Sequence, residues 1–284
     1  MRFSIVVVCL NPGKKLAETI ESIQSQTYKD YEIVVKDGLS SDGALQQWKE
    51  KNGQGVNGRT DDRIRIYEQK DRGIYDAMNQ AVKYCRGDYI LFLNCGDLFY
   101  GETVLAQVAD EIDRNVDRKS ASQEDANAGG GPCIFYGNIY EKLTGSLVSS
   151  NPHMDAFACY RNVPCHQCCF YDRRLFEERG YDTKYRVRAD YEHFLWSFFV
   201  KKAETVFLPV TVASYEGGGF SETAENRKVS AEEHREITRR YMSAGQVFQY
   251  RMLLLLTLAP LRTKMAQSRR MSGIYNKLKR LLYH

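Results

Sequence analysis

Several things are scarce in this chain, and each scarcity excludes something. No apolar run approaches the roughly 20 residues that span a bilayer; the longest lies at 252–259. The apolar core of the opening MRFSIVVVCLNPG is only about eight residues long and has no A-x-A cleavage site, so it reads as a buried strand rather than a signal peptide. No GxGxxG follows that strand, which ends in CLNPGKK, and no GxxxxGK[ST] occurs. The common dinucleotide and P-loop fingerprints are therefore missing. One compact group, Cys165-His166-Gln167-Cys168-Cys169, resembles a metal knuckle but has no second ligand pair at a typical distance, which argues against structural zinc. Acidic residues stop at Glu236. Residues 237–284 carry ten Lys or Arg and no Asp or Glu, which leaves 30 basic against 36 acidic residues in 1–236. The body is thus −6 and the tail +10, and such a tail points to an anionic partner. The body has no basic groove with interleaved stacking aromatics, which argues against nucleic acid.

What is present is ordinary globular composition: 284 residues, 43% hydrophobic and 27% charged. That is enough for one large domain or two small ones sharing a sheet. Eight cysteines are many, but Cys9, Cys85, Cys95, Cys159, Cys168 and Cys169 sit among apolar or aromatic residues, where free thiols pack as small hydrophobes.

Periodicity predicts strands at 4–10, 31–36, 64–67 and 89–93, with helices at 14–26, 44–51 and 73–84 between them and a polar loop at 53–59. This alternation predicts an α/β fold with a mainly parallel central sheet and helices on both faces. Residues 117–132 (DRKSASQEDANAGGGP) read as a flexible surface insertion. Strand character returns at 134–140, a helix begins at 174–179, an aromatic helix covers 190–200, and a last strand covers 205–215. From about residue 230 the chain reads as helical and basic.

Sites in open parallel sheets lie beyond the carboxyl ends of the strands, and three polar clusters fall there. Asp37, in KDGLSSDG, either accepts hydrogen bonds from a base or ribose or closes an Asx-turn. Asp97, in Asn94-Cys95-Gly96-Asp97 after the apolar YILFL, either holds a hard divalent cation bound to a diphosphate or caps the next segment. In KDRGIYDAMN, Asp71 and Arg72 open a helix whose N-terminus could meet an anion, and Asp76 and Asn79 share one face of it. A capped surface helix has the same pattern.

Taken together and in order, these segments resemble family 2 glycosyltransferases of the GT-A fold, over about residues 4–97 and again over 165–196. KDRGIYDAMNQAVKYCRGDYILFLNCGD resembles the subgroup typified by colanic-acid and other exopolysaccharide transferases. The resemblance implies an inverting glycosyltransferase that moves a sugar from a nucleotide-diphosphate donor, with uracil as the expected base, to a saccharide acceptor in cell-surface polysaccharide biosynthesis. Asp37 matches the residue that recognises the base or ribose. Asp97 matches the last carboxylate of the metal motif, with Asn94 replacing its first aspartate, so Mn2+ or Mg2+ is the implied cofactor. Asp71, Arg72, Asp76, Asn79, Asn94, His166 and Gln167 match the donor pocket. Asp190, in RADYEHFLW, aligns with the catalytic base, with Glu192 as the alternative. Gly217-Gly218-Gly219-Phe220-Ser221 resembles a glycine-rich loop that could close over the diphosphate.

The expected organisation is a catalytic domain at 1–229 and a basic amphipathic tail at 230–284. The catalytic domain divides into a nucleotide-binding half at 1–116, the insertion at 117–132 and an acceptor half at 133–229. A tail of this kind lies on an anionic membrane surface, which suggests a lipid-linked acceptor and a cytoplasmic protein peripheral at the inner face of the membrane. A helical lid or a dimer contact is the other use of such a tail. Rival functions are a sugar nucleotidyltransferase, whose glycine- and arginine-rich triphosphate loop CLNPGKK does not provide, and an inactive nucleotide-sugar binding module. The joint presence of Asp97 and Asp190 argues against the latter.

Overall fold

A computed structural model describes residues 1–52, 61–122, 131–217 and 223–256. The β-branched run FSIVVVC forms β1 (Phe3–Cys9), buried along its whole length, as is β2 (Tyr31–Asp37). Continuous burial of this kind belongs to parallel strands covered on both faces, although β2 also buries Glu32, Lys36 and Asp37. β1 lies between β2 and β4 (Tyr89–Phe92), parallel to both, and β3 (Ile64–Glu68) pairs parallel with β2 at the edge. In this register Cys9 sits opposite Asp37, and Cys95 just past β4 donates its N–H to the Val8 carbonyl at 3.2 Å. The ends of all three strands therefore meet along one rim.

Side-chain alternation divides the core between two faces. Phe3, Ile5 and Val7 pack with Leu16, Ile20 and Ile23 of α1 (Lys15–Gln24) and with Leu45 and Trp48 of α2 (Ala44–Asn52). The same cluster takes in Leu105, Val108 and Ile112 of α4 (Val104–Ser122). On the other face α3 (Ile74–Val82) lies against β1 and β2. There Phe92 meets Tyr181 and Phe176 of α6 (Arg173–Glu178) in edge and tilted aromatic contacts. Each such buried side chain contributes about 1.5–3 kcal/mol. α7 (Ala189–Phe199) is buried on nearly every side, which explains its aromatic sequence.

The parallel arrangement predicted from sequence holds throughout β3-β2-β1-β4 and again between β6 (Cys133–Glu141) and β9 (Glu204–Tyr215), with antiparallel pairings in between. β8 (Cys169–Asp172) joins β4 antiparallel and β6 joins β8 antiparallel. β5 (Leu98–Phe99) is antiparallel to β9, and the short β7 (Ser146–Val148) extends β6. The sheet is mixed, in the order β3-β2-β1-β4-β8-β6-β9-β5. Half of its pairings come from short strands whose partners are distant in sequence, and strand periodicity carries no sign of direction.

Two boundaries and two helices differ from the sequence expectation. α4 runs through 117–122, so the stretch read as a flexible insertion starts as helix; Arg118, Lys119 and Ala121 are good helix formers. Residues 123–130 lie outside the described residues, as do the loop at 53–60, positions 218–222 of the glycine-rich loop and the tail beyond 256. α5 (Ala156–Arg161) and α4 were not predicted at all, although Val104, Leu105, Val108 and Ile112 follow a helical repeat. α8 (Ala224–Tyr241) begins before the expected tail boundary at 230 and runs across it. The chain forms two compact units, Met1–His234 and Arg235–His284. In the second, α9 (Ala244–Leu256) has no buried residue, and Phe248 and Leu256 are 67% and 75% exposed. Among the described residues no helix is long and apolar enough to cross a membrane.

Candidate active site

The rim at the ends of β1, β2 and β4 opens into a cavity of about 820 Å³. Its walls are the chain after β1 (Leu10 to Pro12, and Lys15), the entry to α3 (Asp71 to Ala77), Asn94 and Cys95 after β4, and Thr183, Tyr185 and Arg186 on the far side.

Of the predicted donor-pocket residues Asp71, Arg72 and Asp76 line this wall, while Asp37 and Asn79 lie outside it. Asp37 is 1% exposed. Its carboxylate accepts from the Ser40 N–H at 2.7 Å, from the Ser40 hydroxyl at 2.5 Å and from the Cys9 thiol at 3.3 Å. The carboxylate thus closes the 37–40 loop locally, through the residue three positions on rather than the two of an Asx-turn. Asp71 lines the cavity but forms an ion pair with Lys36, whose side chain is 1% exposed. The pair ties β2 to the loop before α3. Gly38 is required beside it, because a Cβ there would lie 2.8 Å from Asp71 Oδ2. Arg72 projects a 92% exposed guanidinium at the cavity edge. Gly73 adopts φ 126°, a left-handed value that suits glycine, and starts α3. Asp76 reaches back to accept the Arg72 N–H at 2.9 Å, just ahead of the Gly73 N-cap, and so fixes the entry to α3. Asn79 lies outside the cavity wall. Its amide is spent on the Tyr181 backbone, donating to the carbonyl at 2.9 Å and accepting from the N–H at 2.7 Å.

The other predicted residues converge. Asn94 Nδ2 lies 3.0 Å from His166 Nε2, and His166 Nδ1 lies 3.2 Å from Asp190 Oδ2. With Asn94 donating, the imidazole accepts at Nε2 and donates from Nδ1 to Asp190. Asp190 Oδ1 accepts from the Tyr191 N–H at 2.8 Å and lies 3.0 Å from the Tyr75 hydroxyl, which also lies 2.8 Å from the Val187 carbonyl. Burial alone would raise the Asp190 pKa. The bonds from His166, Tyr191 and Tyr75 outweigh it and hold the carboxyl below its ordinary value. The carboxylate stays ionised at neutral pH and keeps 26% of its side chain exposed. Burial and the Asp190 charge push the Tyr75 phenol well above its ordinary pKa, so it remains a donor. Glu192 faces elsewhere: it is fully buried and paired with Arg179 at 2.5 Å.

Asp97 follows Asn94 and Cys95 in the turn before β5 and is not itself part of the cavity wall. Its backbone carbonyl accepts from Thr19 Oγ1 at 3.0 Å. Burial pushes its carboxyl up to about 6, against the opposing pull of His166 and a hydrogen bond from Gln167. Among the described residues no group of three or more His, Cys, Asp or Glu side chains could hold a metal ion, and all eight cysteines are free. Asp97 supplies one carboxylate, and Asn94 Oδ1 is a buried oxygen without a hydrogen-bond partner. One carboxylate and one amide oxygen do not make a protein cage. They do fit a hard divalent ion completed by phosphate oxygens and water.

Sequence reasoning did not single out Tyr75, Lys36 or Lys15. Lys15 lines the cavity and pairs with Glu216 at 2.6 Å. Only Lys36 carried a signal, as a charge inside the apolar strand YEIVVK. The partners of the other two are 115 and 201 residues away.

A mixed α/β sheet with this cavity at its strand ends and a held carboxylate beside it defines a nucleotide-sugar transferase of the GT-A type. Residues 4–180 match glycosyl transferase family 2, and the chain belongs to that family. It is 33% identical over 228 residues to the PGL/p-HBAD biosynthesis glycosyltransferase of Mycobacterium bovis, covering 80% of this chain and 81% of that one. Two solved structures share the fold. Staphylococcus aureus TarS 1–349 in complex with UDP superposes with a TM-score of 0.62 at 16% identity, covering 96% of this chain and 74% of that one. The mannosyltransferase PcManGT of Pyrobaculum calidifontis, in complex with GDP-Man and Mn2+, does so with a TM-score of 0.59 at 17% identity, covering 100% of this chain and 81% of that one. The chain is a glycosyltransferase. These relatives do not single out the colanic-acid subgroup.

Proposed function

We propose that this glycosyltransferase transfers a sugar from a UDP-sugar, with inversion, to a saccharide acceptor carried on a lipid, in cell-surface polysaccharide synthesis. One observation carries the proposal: an ionised, partly exposed Asp190 carboxylate is held by three donors, one of which is His166, and His166 connects it to Asn94 in the cavity wall. A carboxylate so held is oriented for proton abstraction and spared from protonation.

In the reaction, Asp190 takes the proton of an acceptor hydroxyl as its oxygen attacks the anomeric carbon. The bond from that carbon to the diphosphate breaks on the opposite face. Arg72 and Lys15 at the cavity edge attract the charge that develops on the departing diphosphate. Asp97 and Asn94 are the residues that would hold Mn2+ or Mg2+. That ion, when bound, supplies further neutralisation of the diphosphate. Asp37, engaged with Ser40, turns the loop toward the base and ribose.

The tail is proposed as a contact with anionic lipid. The support is the exposed apolar α9 and the ten Lys or Arg without an acidic residue in 237–284. The test offers a panel of nucleotide sugars with lipid-linked and free saccharides, with and without Mn2+. Turnover of a UDP-sugar with inverted product stereochemistry is expected. Tight nucleotide binding with no transfer to any acceptor would instead favour a binding module. Truncation after Ala244 should release the protein from anionic vesicles, and full retention would refute the lipid contact.

A further inference from the structure

α8 lies outside the residues that match the family, 4–180, yet one of its faces grips the segment that leads into α7. Ser230, Glu233 and His234 are spaced i, i+3, i+4 and so share that face. The Glu233 carboxylate accepts three successive backbone N–H groups, from Arg186 at 2.7 Å, Val187 at 3.0 Å and Arg188 at 2.8 Å. Ser230 accepts from Arg188 Nε through its hydroxyl at 2.7 Å and its carbonyl at 3.0 Å. His234 stacks on Tyr191 at 5.2 Å, and its Nε2 lies 2.8 Å from the Tyr160 carbonyl oxygen.

Arg188 is the N-cap of α7 and makes no side-chain cap bond itself. The donors at this helix entry are answered from another helix. On the opposite side the Val187 carbonyl lies 2.8 Å from the Tyr75 hydroxyl, which also reaches Asp190. The backbone at 186–188 is thus pinned from both sides, two residues before Asp190. An anion at a helix N-terminus is favourable, and only a carboxylate offers two oxygens to three converging donors. A glutamine would set its own NH2 against one or more of them.

We propose that Glu233 is a positioning residue for Asp190: by anchoring the backbone at 186–188 it sets where the Asp190 carboxylate meets the acceptor hydroxyl, and Ser230 and His234 complete the clamp. The proposal rests on Asp190 being the base. Misplacing a reacting group by about 1 Å costs roughly 100-fold in rate.

The test uses the full chain and compares Asp190→Asn, Glu233→Gln, Glu233→Ala and the double variant Asp190→Asn/Glu233→Gln. For each, kcat, the Kd of the nucleoside diphosphate and the thermal midpoint are measured. Glu233→Gln should lower kcat roughly 10-fold and Glu233→Ala roughly 100-fold, with the nucleotide Kd unchanged. The double variant should be no slower than Asp190→Asn, because residues that act as a unit are not additive. A folded Glu233→Ala with wild-type kcat overturns the clamp. So does a double variant slower than Asp190→Asn by the full factor of Glu233→Gln, since that factor would then be independent of the base. If Glu233→Ala does not fold, Ser230→Ala replaces it and should lose kcat several-fold; wild-type kcat there overturns the clamp equally. Wild-type turnover by Asp190→Asn removes the base itself and the proposal with it, an outcome distinct from the others.

Discussion

Consider replacing the two acidic residues at the start of α7, in turn, by their amides. Asp190→Asn preserves shape. Its carbonyl oxygen can still accept from the Tyr191 N–H and the Tyr75 hydroxyl, and the loss is the charge that meets His166 at 3.2 Å. Exchanging a charged for a neutral hydrogen bond costs about 1 kcal/mol of stability. The rate should fall far more, by about 10²–10⁴-fold, the usual worth of a general base. Glu192→Gln should do the reverse. Glu192 is fully buried against Arg179, whose guanidinium also lies 4.7 Å from the Trp196 ring centroid. Removing one charge of a buried pair costs about 3–5 kcal/mol. Arg179 keeps 27% exposure, so the lower figure, about 3 kcal/mol, applies. In a domain of this size that lowers the melting midpoint by roughly 10 °C. The assay is nucleoside-diphosphate release in the presence of acceptor, at a temperature where near-ultraviolet circular dichroism shows both variants folded. Glu192→Gln should then keep kcat within about threefold of wild type, since it removes no group that touches substrate. A folded Glu192→Gln as slow as Asp190→Asn would refute the assignment of the base, as would an unimpaired Asp190→Asn.

Three further outcomes are expected. His193 is fully buried and stacked on Phe176 at 4.2 Å, and burial pushes it down to about 3 from 6.5. The unfolded chain binds its proton first, so stability is lost as pH falls from 6.5 toward 3, about 2 kcal/mol of it between pH 7 and pH 5. His193→Phe should flatten that acid limb in urea titrations, and parallel wild-type and variant curves would contradict it. Asp97 shifts the other way, from 3.8 up to about 6. Its ionised form therefore costs about 3 kcal/mol above pH 6, a cost that vanishes as pH falls below 3.8. Asp97→Asn should raise the thermal midpoint of the ligand-free protein at pH 8 and abolish the added stabilisation by Mn2+ with UDP; an unchanged midpoint would contradict the first expectation. Asn79→Ala should cost about 2 kcal/mol, by stripping partners from the Tyr181 backbone. The donor KM should stay within about twofold of wild type, and a large rise would return Asn79 to the donor pocket.

Much of the fold of residues 1–116 is legible in the sequence. FSIVVVC, YEIVVK and YILFL have the composition and length of buried strands, and local propensity with burial on both faces is enough to specify them. The strand-end rule points to Asp37, Asn94 and Asp97; of these only Asn94 lines the cavity, while Asp37 is buried at the end of β2. The resemblance favours Asp190 over Glu192, but composition and spacing alone do not separate them. Two carboxylates two residues apart on a helix differ only in what packs against each, here His166 and Tyr75 for one and Arg179 for the other. The same holds for Asp71 and Asn79. Their sequence context fits a ligand pocket, while their actual partners, Lys36 and the Tyr181 backbone, arrive from 35 and 102 residues away. Strand direction in the second half of the sheet, and the clamp on residues 186–188 from Ser230, Glu233 and His234, were likewise decided by tertiary structure. Periodicity and propensity act over a few neighbours and determine which element forms. Burial, ion pairing and hydrogen-bond satisfaction act between elements once they are packed, and they determine which of several suitable side chains is left free to meet a substrate.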